Sequence, residues 1–363
     1  MKDDNDVPQR IRLLVLFGGQ SAEHDVSCVT AAHVLRAADP ARYDITAIGI
    51  SREGHWQVAD AAMAALAGGR GQLPGRLDPI GRPTEPSSAL TAATNGEIPT
   101  VVLPLLHGPL GEDGTVQGML ELADVPYVGS GVLASALAMD KGMAKVVLAQ
   151  HGFPQARFRA LREHDLRPGT PAALADEFGL PLFVKPANMG SSVGVSKAHT
   201  VEEIRDAVEL ALSYDEWVVV EEAITGREIE VAVLGNLDPR ASVAGEIVPG
   251  HEFYDYEDKY VEDGAQAMIP APLSAADSDA VRRMAVEIFS ALRCEGMARV
   301  DFFFEEGGRG FLINEVNTIP GFTPISMYPK LWEATGLTYP ELIDELVRLA
   351  LERHGRRRRN TKH

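Results

Sequence analysis

Cysteine is scarce in this chain. Cys28 and Cys294 are the only two in 363 residues, and neither belongs to a CxxC or a Cys/His cluster. No disulfide framework or thiolate zinc site is indicated, and both thiols read as core fillers. Basic charge is also short, with 34 Lys and Arg against 52 Asp and Glu, a formal balance of −18. That balance argues against general binding to nucleic acid or to an acidic membrane surface, which needs a positive field. No apolar run approaches the roughly 20 residues of a membrane helix. The opening MKDDNDVPQR is acidic and lacks the apolar stretch of a signal peptide. The expected location is cytoplasmic.

What is present points to an α/β protein. Hydrophobic residues make up 45% and glycines number 34, with short apolar runs alternating with polar stretches. The length suits two or three domains. IRLLVLFGG, YDITAIGIS and PTVVLPLLHG read as strands, with a helix over EHDVSCVTAAHVLRAAD, and this alternation predicts a parallel sheet. The stretch from Ala59 to Gly96 reads as a surface excursion of loops or short helix. PYVGSGVLASALAMDKGMAKVVLAQHG reads as a strand running into a helix. LPLFVKP, VSKAH, EWVVVEEA, EIEVAVLG and SVAGEIV follow as strands, and TYPELIDELVRLALERHG as an amphipathic helix. The basic run from Arg356 to Arg359 reads as a frayed, solvated tail.

MARVDFFF and FLINEVN flank the turn-rich EEGGRG and predict a hairpin. Side chains alternate along a strand, so Arg299, Asp301 and Phe303 share one face, and Ile313, Glu315 and Asn317 share one face of the partner. If Asp301 pairs with Glu315, Arg299 faces Asn317 and four polar groups form one cluster. Two carboxylates and an amide oxygen suit Mg²⁺ rather than zinc. An ordinary salt bridge of Arg299 with Asp301 or Glu315 fits the hairpin equally well.

LFVKPANMGSSVGVS places Lys185 at a strand end before a Gly-Ser loop, where backbone N–H groups can approach phosphate oxygens. It is not a P-loop, because the lysine precedes the glycines. MDKGMAK sets Lys141 and Lys145 on one helix face. Lys259 sits in HEFYDYEDKYVEDG, which reads as a loop able to close over a site. In VVVEEAITGREIEV, a bend at Thr225–Gly226 between two strands suits a flat base, with Glu228 placed for ribose hydroxyls. LVLFGGQSAEHDVS and LLHGPLGEDGTVQG put Glu23 and His107 after strand ends, where α/β sheets gather ligands. Alternatively, Glu23 caps the following helix and His107 satisfies a backbone carbonyl.

GGQSAEHDVS, HGPLGEDG, MDKGMAK, VKPANMGSSVG, EEAITGREIEV, FYDYEDKY, ARVDF and NEVNTIPGF occur in an order that resembles the D-alanine–D-alanine ligases of the ATP-grasp superfamily. The resemblance runs from about Leu13 to about Leu351. It implies a three-domain ATP-grasp architecture. The expected divisions are a parallel-sheet N-terminal domain over 1–129, a central subdomain over 130–222, a C-terminal metal-binding domain over 223–355 and the tail 356–363.

The resemblance also implies roles. Lys141, Lys185 and Lys259 would contact ATP phosphates. Glu222 and Ile224 would meet adenine through their backbone, and Glu228 the ribose. Asp301, Glu315 and Asn317 are similar to ligands of two Mg²⁺ (or Mn²⁺) ions. Glu23 would bind the first D-alanine's ammonium and form a hydrogen-bonded latch with Ser191 and Tyr260. Arg299 and the Gly321 N–H resemble an oxyanion-stabilising pair. Ser326 would hold the second alanine's carboxylate, and His107 would orient substrate. Two D-alanines, ATP and a homodimer are thus expected, with a product destined for peptidoglycan. The DKY of the loop resembles peptide-forming rather than depsipeptide-forming relatives. The alternative is another ATP-grasp ligase, with a different carboxylate and amine.

Overall fold

The structure, a computed structural model, describes residues 10–94, 98–248 and 266–357. The first apolar run forms β1 (Ile11–Gly18), and the chain returns through α1 (His24–Ala37) to β2 (Tyr43–Ile50). After β3 (Trp56–Val58), α2 (Asp60–Ala67), β4 (Arg82–Pro83) and α3 (Pro86–Thr94) come β5 (Thr100–Pro104) and α4 (Thr115–Leu122). The sheet order is β4-β3-β2-β1-β5. Its centre is parallel, with β1 between β2 and β5, while β3 and β4 add an antiparallel edge.

The segment from Ala59 to Gly96 is therefore no mere surface excursion. Leu73 and Leu77 are buried in the core that α1 covers, and Leu90 is buried on the other side of the sheet. Backbone bonds reinforce this packing, with Leu77 N–H donating to the Cys28 carbonyl at 3.2 Å. The Arg36 guanidinium donates to the Leu73 carbonyl at 2.8 Å. Spaced leucines anchor a glycine-rich stretch whose composition reads as loop.

The strand expected at PYVG is a single parallel bridge between Tyr127 and Val102. The helix expected after it is two, α5 (Val132–Met139) and α6 (Lys141–Gln150), broken at Asp140. Asp140 is extended, and its carboxylate accepts from the Met143 N–H at 2.9 Å, a side-chain cap. The break places Lys141 in the first turn of α6.

The central sheet comprises β6 (Phe158–Arg162), β7 (Leu182–Pro186), β8 (Ser196–Ala198) and β9 (Trp217–Glu222), in the order β6-β9-β7-β8. Helices α7 (Thr170–Phe178) and α8 (Val201–Leu212) bury Leu174, Ile204 and Val208 with its Val184, Val218 and Val220. The Thr200 hydroxyl caps α8.

The C-terminal sheet holds β10 (Arg227–Gly235), β11 (Arg240–Val248), β12 (Gln266–Met268), β13 (Gly296–Glu305) and β14 (Gly310–Asn317). All its pairings are antiparallel, in the order β12-β11-β10-β13-β14. Helix α9 (Ala275–Ala291) packs on it, together with Ala134 and Ala138 of α5 and Leu148 of α6. Segment 130–222 thus contributes to two cores.

The last helices, α10 (Met327–Ala334) and α11 (Tyr339–Arg357), share a core with the first sheet, where Trp332, Leu342 and Leu346 join Leu13, Phe17 and Leu35. Tyr43 donates its hydroxyl to Asp344 at 2.6 Å across that junction. Arg356 pairs with Glu295, and Arg357 reaches Glu121 at 2.8 Å. These two residues belong to α11, so the basic run begins as paired helix rather than as a frayed tail. No described helix is long and apolar enough to cross a membrane.

Leu77→Ala tests whether the 59–96 stretch belongs to the domain core. The fully buried Leu77 predicts a loss of about 2–5 kcal/mol, measured by guanidinium denaturation; a surface loop would lose almost nothing.

Candidate active site

The hairpin β13–β14 has the register posed as a condition in the sequence, Asp301 opposite Glu315 and Arg299 opposite Asn317. A bulge follows, because Phe302 pairs with Ile313 and leaves Asn314 extra. The bulge reverses the alternation, so Ile313 lies with Val316 and Phe302 in the core instead of sharing the Glu315 face. On the polar face, the Arg299 guanidinium donates to both Asp301 oxygens at 2.7 and 2.6 Å. It also lies 3.1 Å from a Glu230 oxygen, and the Asn317 amide donates to Asp301 at 2.9 Å. Burial alone would lower the Arg299 pKa; Asp301 and Glu230 reverse that and hold it well above its ordinary value. The salt bridge and the oxygen cluster, competing readings of the sequence, coexist here.

This face forms one wall of a cleft of about 570 Å³ between the central and C-terminal sheets, within the roughly 300–1,000 Å³ of small-molecule sites. Lys141, Lys185, Ser191, Glu222, Ile224 and Glu228 line it together with Arg299, Asp301 and Glu315. Lys145 does not line the cleft, and the two α6 lysines divide their tasks. The Lys141 ammonium donates to the Met189 carbonyl at 2.5 Å, tethering the Gly-Ser loop. Lys145 is buried 3.2 Å from Glu221, whose other oxygen accepts from Lys185 at 2.9 Å. Burial would raise the Glu221 carboxyl, but the two ammonium groups outweigh it and hold it at about 2. Lys145 is pushed down by burial; burial pulls Lys185 the same way, but the charge and bond of Glu221 hold it above its ordinary value.

Ser191 and Ser192 have φ of +48° and +59°, the left-handed region that non-glycine residues enter at a cost. The turn aims the Ser191 hydroxyl at the Glu23 carboxylate, to which it donates across 168 residues. Glu23 therefore does not cap α1: it stands at the helix start without a side-chain cap bond. Close packing at Gly190, where a Cβ would lie 2.8 Å from Glu23 Oε2, brings the loop against the first domain.

His107 Nδ1 lies 3.0 Å from the Ile319 carbonyl oxygen, and its buried Nε2 has no hydrogen-bond partner among the described residues. Glu112 accepts the Gly108 N–H at 2.7 Å and the Ile319 N–H at 3.1 Å. Burial, then the charge of Glu23, raises the Glu112 carboxyl to about 8. Ile319, two residues before Gly321, is thus held through both its N–H and its C=O by residues that follow β5. Ser326 stands at the start of α10 with its hydroxyl 2.8 Å from the Thr323 hydroxyl rather than capping the helix. Lys259 and Tyr260 lie outside the described residues.

Two family models match the chain: the D-ala D-ala ligase N-terminus over residues 12–130 and the D-ala D-ala ligase C-terminus over 147–348. A D-alanine–D-alanine ligase of Bacillus pumilus is 48% identical, with 95% of this chain and 97% of the relative aligned. The chain belongs to the D-alanine–D-alanine ligase family. The ATP-grasp fold expected from the motifs agrees with the solved D-alanine–D-alanine ligase of Coxiella burnetii, at a TM-score of 0.81 and 37% identity over 96% of each chain. The VanG D-Ala:D-Ser ligase of Enterococcus faecalis aligns at 0.78 and 34% identity, covering 94% of this chain and all of that one.

In this member of the ligase family, sequence reading missed Glu221, Glu112 and Glu230. Glu221 carried a signal, an acid continuing the apolar run WVVV into a buried strand. Glu230 sits in register with Asp301 on β10, detectable only once that pairing is known. Among the described residues no group of three or more His, Cys, Asp or Glu is placed to hold a metal ion. The set expected from the motifs, the Asp301 and Glu315 carboxylates with the Asn317 amide, would suit an oxygen-preferring ion such as Mg²⁺.

Glu221→Gln removes the shared counter-charge of two buried lysines and is expected to destabilise the protein by about 3–5 kcal/mol. Because the folded pKa of Glu221 is depressed from 4.5 to about 2, the wild-type contribution is complete above pH 4.5 and fades as pH falls toward 2. The gap between wild type and variant in denaturation midpoints should therefore narrow over that acid window; a pH-independent gap refutes the assignment.

Proposed function

We propose that the chain joins two D-alanines into D-alanyl-D-alanine with ATP, through an acyl phosphate, supplying a peptidoglycan precursor in the cytoplasm. One observation carries the reading: a single cleft where two lysines and the Arg299–Asp301–Glu315 face meet a loop that Ser191 ties to Glu23 of the first domain. The family resemblance supports a homodimer.

ATP would lie between the two sheets, with adenine along the Glu222–Ile224 backbone and ribose near Glu228. Lys141 and Lys185 supply positive charge to the phosphates, joined in this reading by Lys259. Asp301, Glu315 and Asn317 would hold two Mg²⁺ ions, which when bound neutralise charge on the transferring phosphoryl group.

Glu23 binds the ammonium of the first D-alanine and so orients its carboxylate. A carboxylate oxygen attacks the γ-phosphorus as the bond to ADP breaks. The second D-alanine's amine then attacks the acyl carbonyl, the oxygen of which becomes anionic beside Arg299 and the Gly321 N–H. Collapse of that tetrahedral centre expels phosphate, and the amine's proton is lost. Ser326, at the positive end of α10, suits the second carboxylate. His107 and Glu112 act on the turn rather than on the reacting atoms, by fixing the Ile319 peptide. The Ser191–Glu23 bond, with Tyr260 in the proposed latch, excludes water that would hydrolyse the acyl phosphate.

ATP-dependent phosphate release should appear with D-alanine and not with L-alanine, and chromatography should show D-alanyl-D-alanine. Equal rates with L-alanine sink the reading. D-serine and D-lactate, offered as second substrates, define the acceptor. Glu315→Gln should lower turnover by about a hundredfold or more with an unchanged circular dichroism spectrum; retained turnover refutes the metal assignment.

A further inference from the structure

Glu222 ends β9, and the residues that follow it, Ala223 to Gly226, line the cleft where the base is proposed to lie. Its own carboxylate is occupied by two arginines. One oxygen accepts the Arg157 backbone N–H at 3.0 Å and an Arg309 guanidinium N–H at 2.6 Å; the other accepts Arg157 Nε–H at 2.8 Å. Arg157, just before β6, also donates to the Glu177 and Phe178 carbonyls, both at 3.1 Å, at the end of α7. Arg309 belongs to the turn joining β13 to β14, where it grips Glu305 through two bonds of 2.7 and 2.8 Å. The Glu222 side chain is 12% exposed beneath arginines that are 44% and 56% exposed. Burial would raise its carboxyl, but the Arg157 and Arg309 bonds hold it at about 2.

The polar end of the same hairpin carries Arg299, Asp301, Glu315 and Asn317. Its turn therefore reaches across to the β9–β10 bend, while Arg157 fixes that bend to the central sheet. We infer that Arg309 is a positioning residue for the nucleotide, acting through Glu222 to set the bend against the hairpin that bears the oxygen ligands. The inference rests on the proposed use of ATP. Arg309 is not among the residues lining the cleft, so its loss should weaken nucleotide binding and leave the chemical step alone.

The test uses the full chain with Arg309→Ala, Arg309→Lys, Glu222→Ala and the double variant Arg309→Ala/Glu222→Ala. Arg309→Ala should raise the KM for ATP and the calorimetric Kd for ADP by about three- to tenfold. Its kcat should stay within about twofold and its melting temperature near wild type. Arg309→Lys should be intermediate, since an ammonium cannot span Glu222 and Glu305 as the guanidinium does. In the Glu222→Ala background, removing Arg309 should add little. An unchanged KM and Kd in Arg309→Ala overturns the inference, as does the same loss with and without Glu222. A fall in kcat and melting temperature at constant Kd marks a merely structural role and also overturns it. A wild-type protein that binds no ADP is a different result, overturning the ATP reading together with this one.

Discussion

One carboxylate buried between two ammonium groups governs the cleft. Lys145 and Lys185 come from a helix and a strand, and both meet Glu221 away from water. A buried lysine without a counter-charge tends to lose its proton, and a neutral amine is of no use to a phosphate. Glu221 keeps Lys185 cationic at the cleft wall, and Lys145 keeps Glu221 anionic. Lys141, which makes no bond to Glu221, ties down the Gly-Ser loop. The charge offered to a ligand is thus prepared by groups that the ligand need not touch.

The remaining parts are held by bonds that span the chain. Ser191 reaches Glu23, and His107 and Glu112 reach the turn before Gly321. Each bond joins a loop from one layer to an element of another, so the site exists only when all three sheets are assembled. The common core of the first sheet with α10 and α11 makes that assembly firm. Strain in the αL serines lies in a loop that meets both Lys141 and Glu23 of the first sheet's layer.

What could be read from the sequence was what local periodicity determines. The hairpin and the polar face of each strand followed from alternation and a short glycine-rich link, with Asp301 opposite Glu315 only as a condition, and the order of motifs carried the ligase family and its ATP-grasp fold. The bulge at Asn314 was illegible, because an extra residue leaves no compositional mark between two strands of similar pattern. Asp140 breaking a helix was hidden for the opposite reason, as apolar spacing continues across it. Glu221 and Glu112 sit beside motif residues, yet their importance depends on lysines and a peptide distant in sequence. The link from Arg309 to Glu222 spans 87 residues between two surface-polar stretches, and nothing local announces it. The stretch around Leu77 read as loop because its glycines and prolines outweigh the few leucines that anchor it.

The antiparallel additions to the first sheet have a consequence beyond packing. A parallel sheet left open would present a row of unsatisfied N–H and C=O groups, a template onto which another chain can dock. Here the outermost strand is only Arg82–Pro83, and its proline has no N–H to offer. Asp60 holds the preceding arginine through its guanidinium and backbone. At the opposite margin, β5 is covered by the Pro126 carbonyl and the Val128 N–H, both bonded to Val102. The β4 border offers little to an adding strand and the β5 border is occupied at Val102, so the stretch that reads as loop also trims one exposed edge of the sheet.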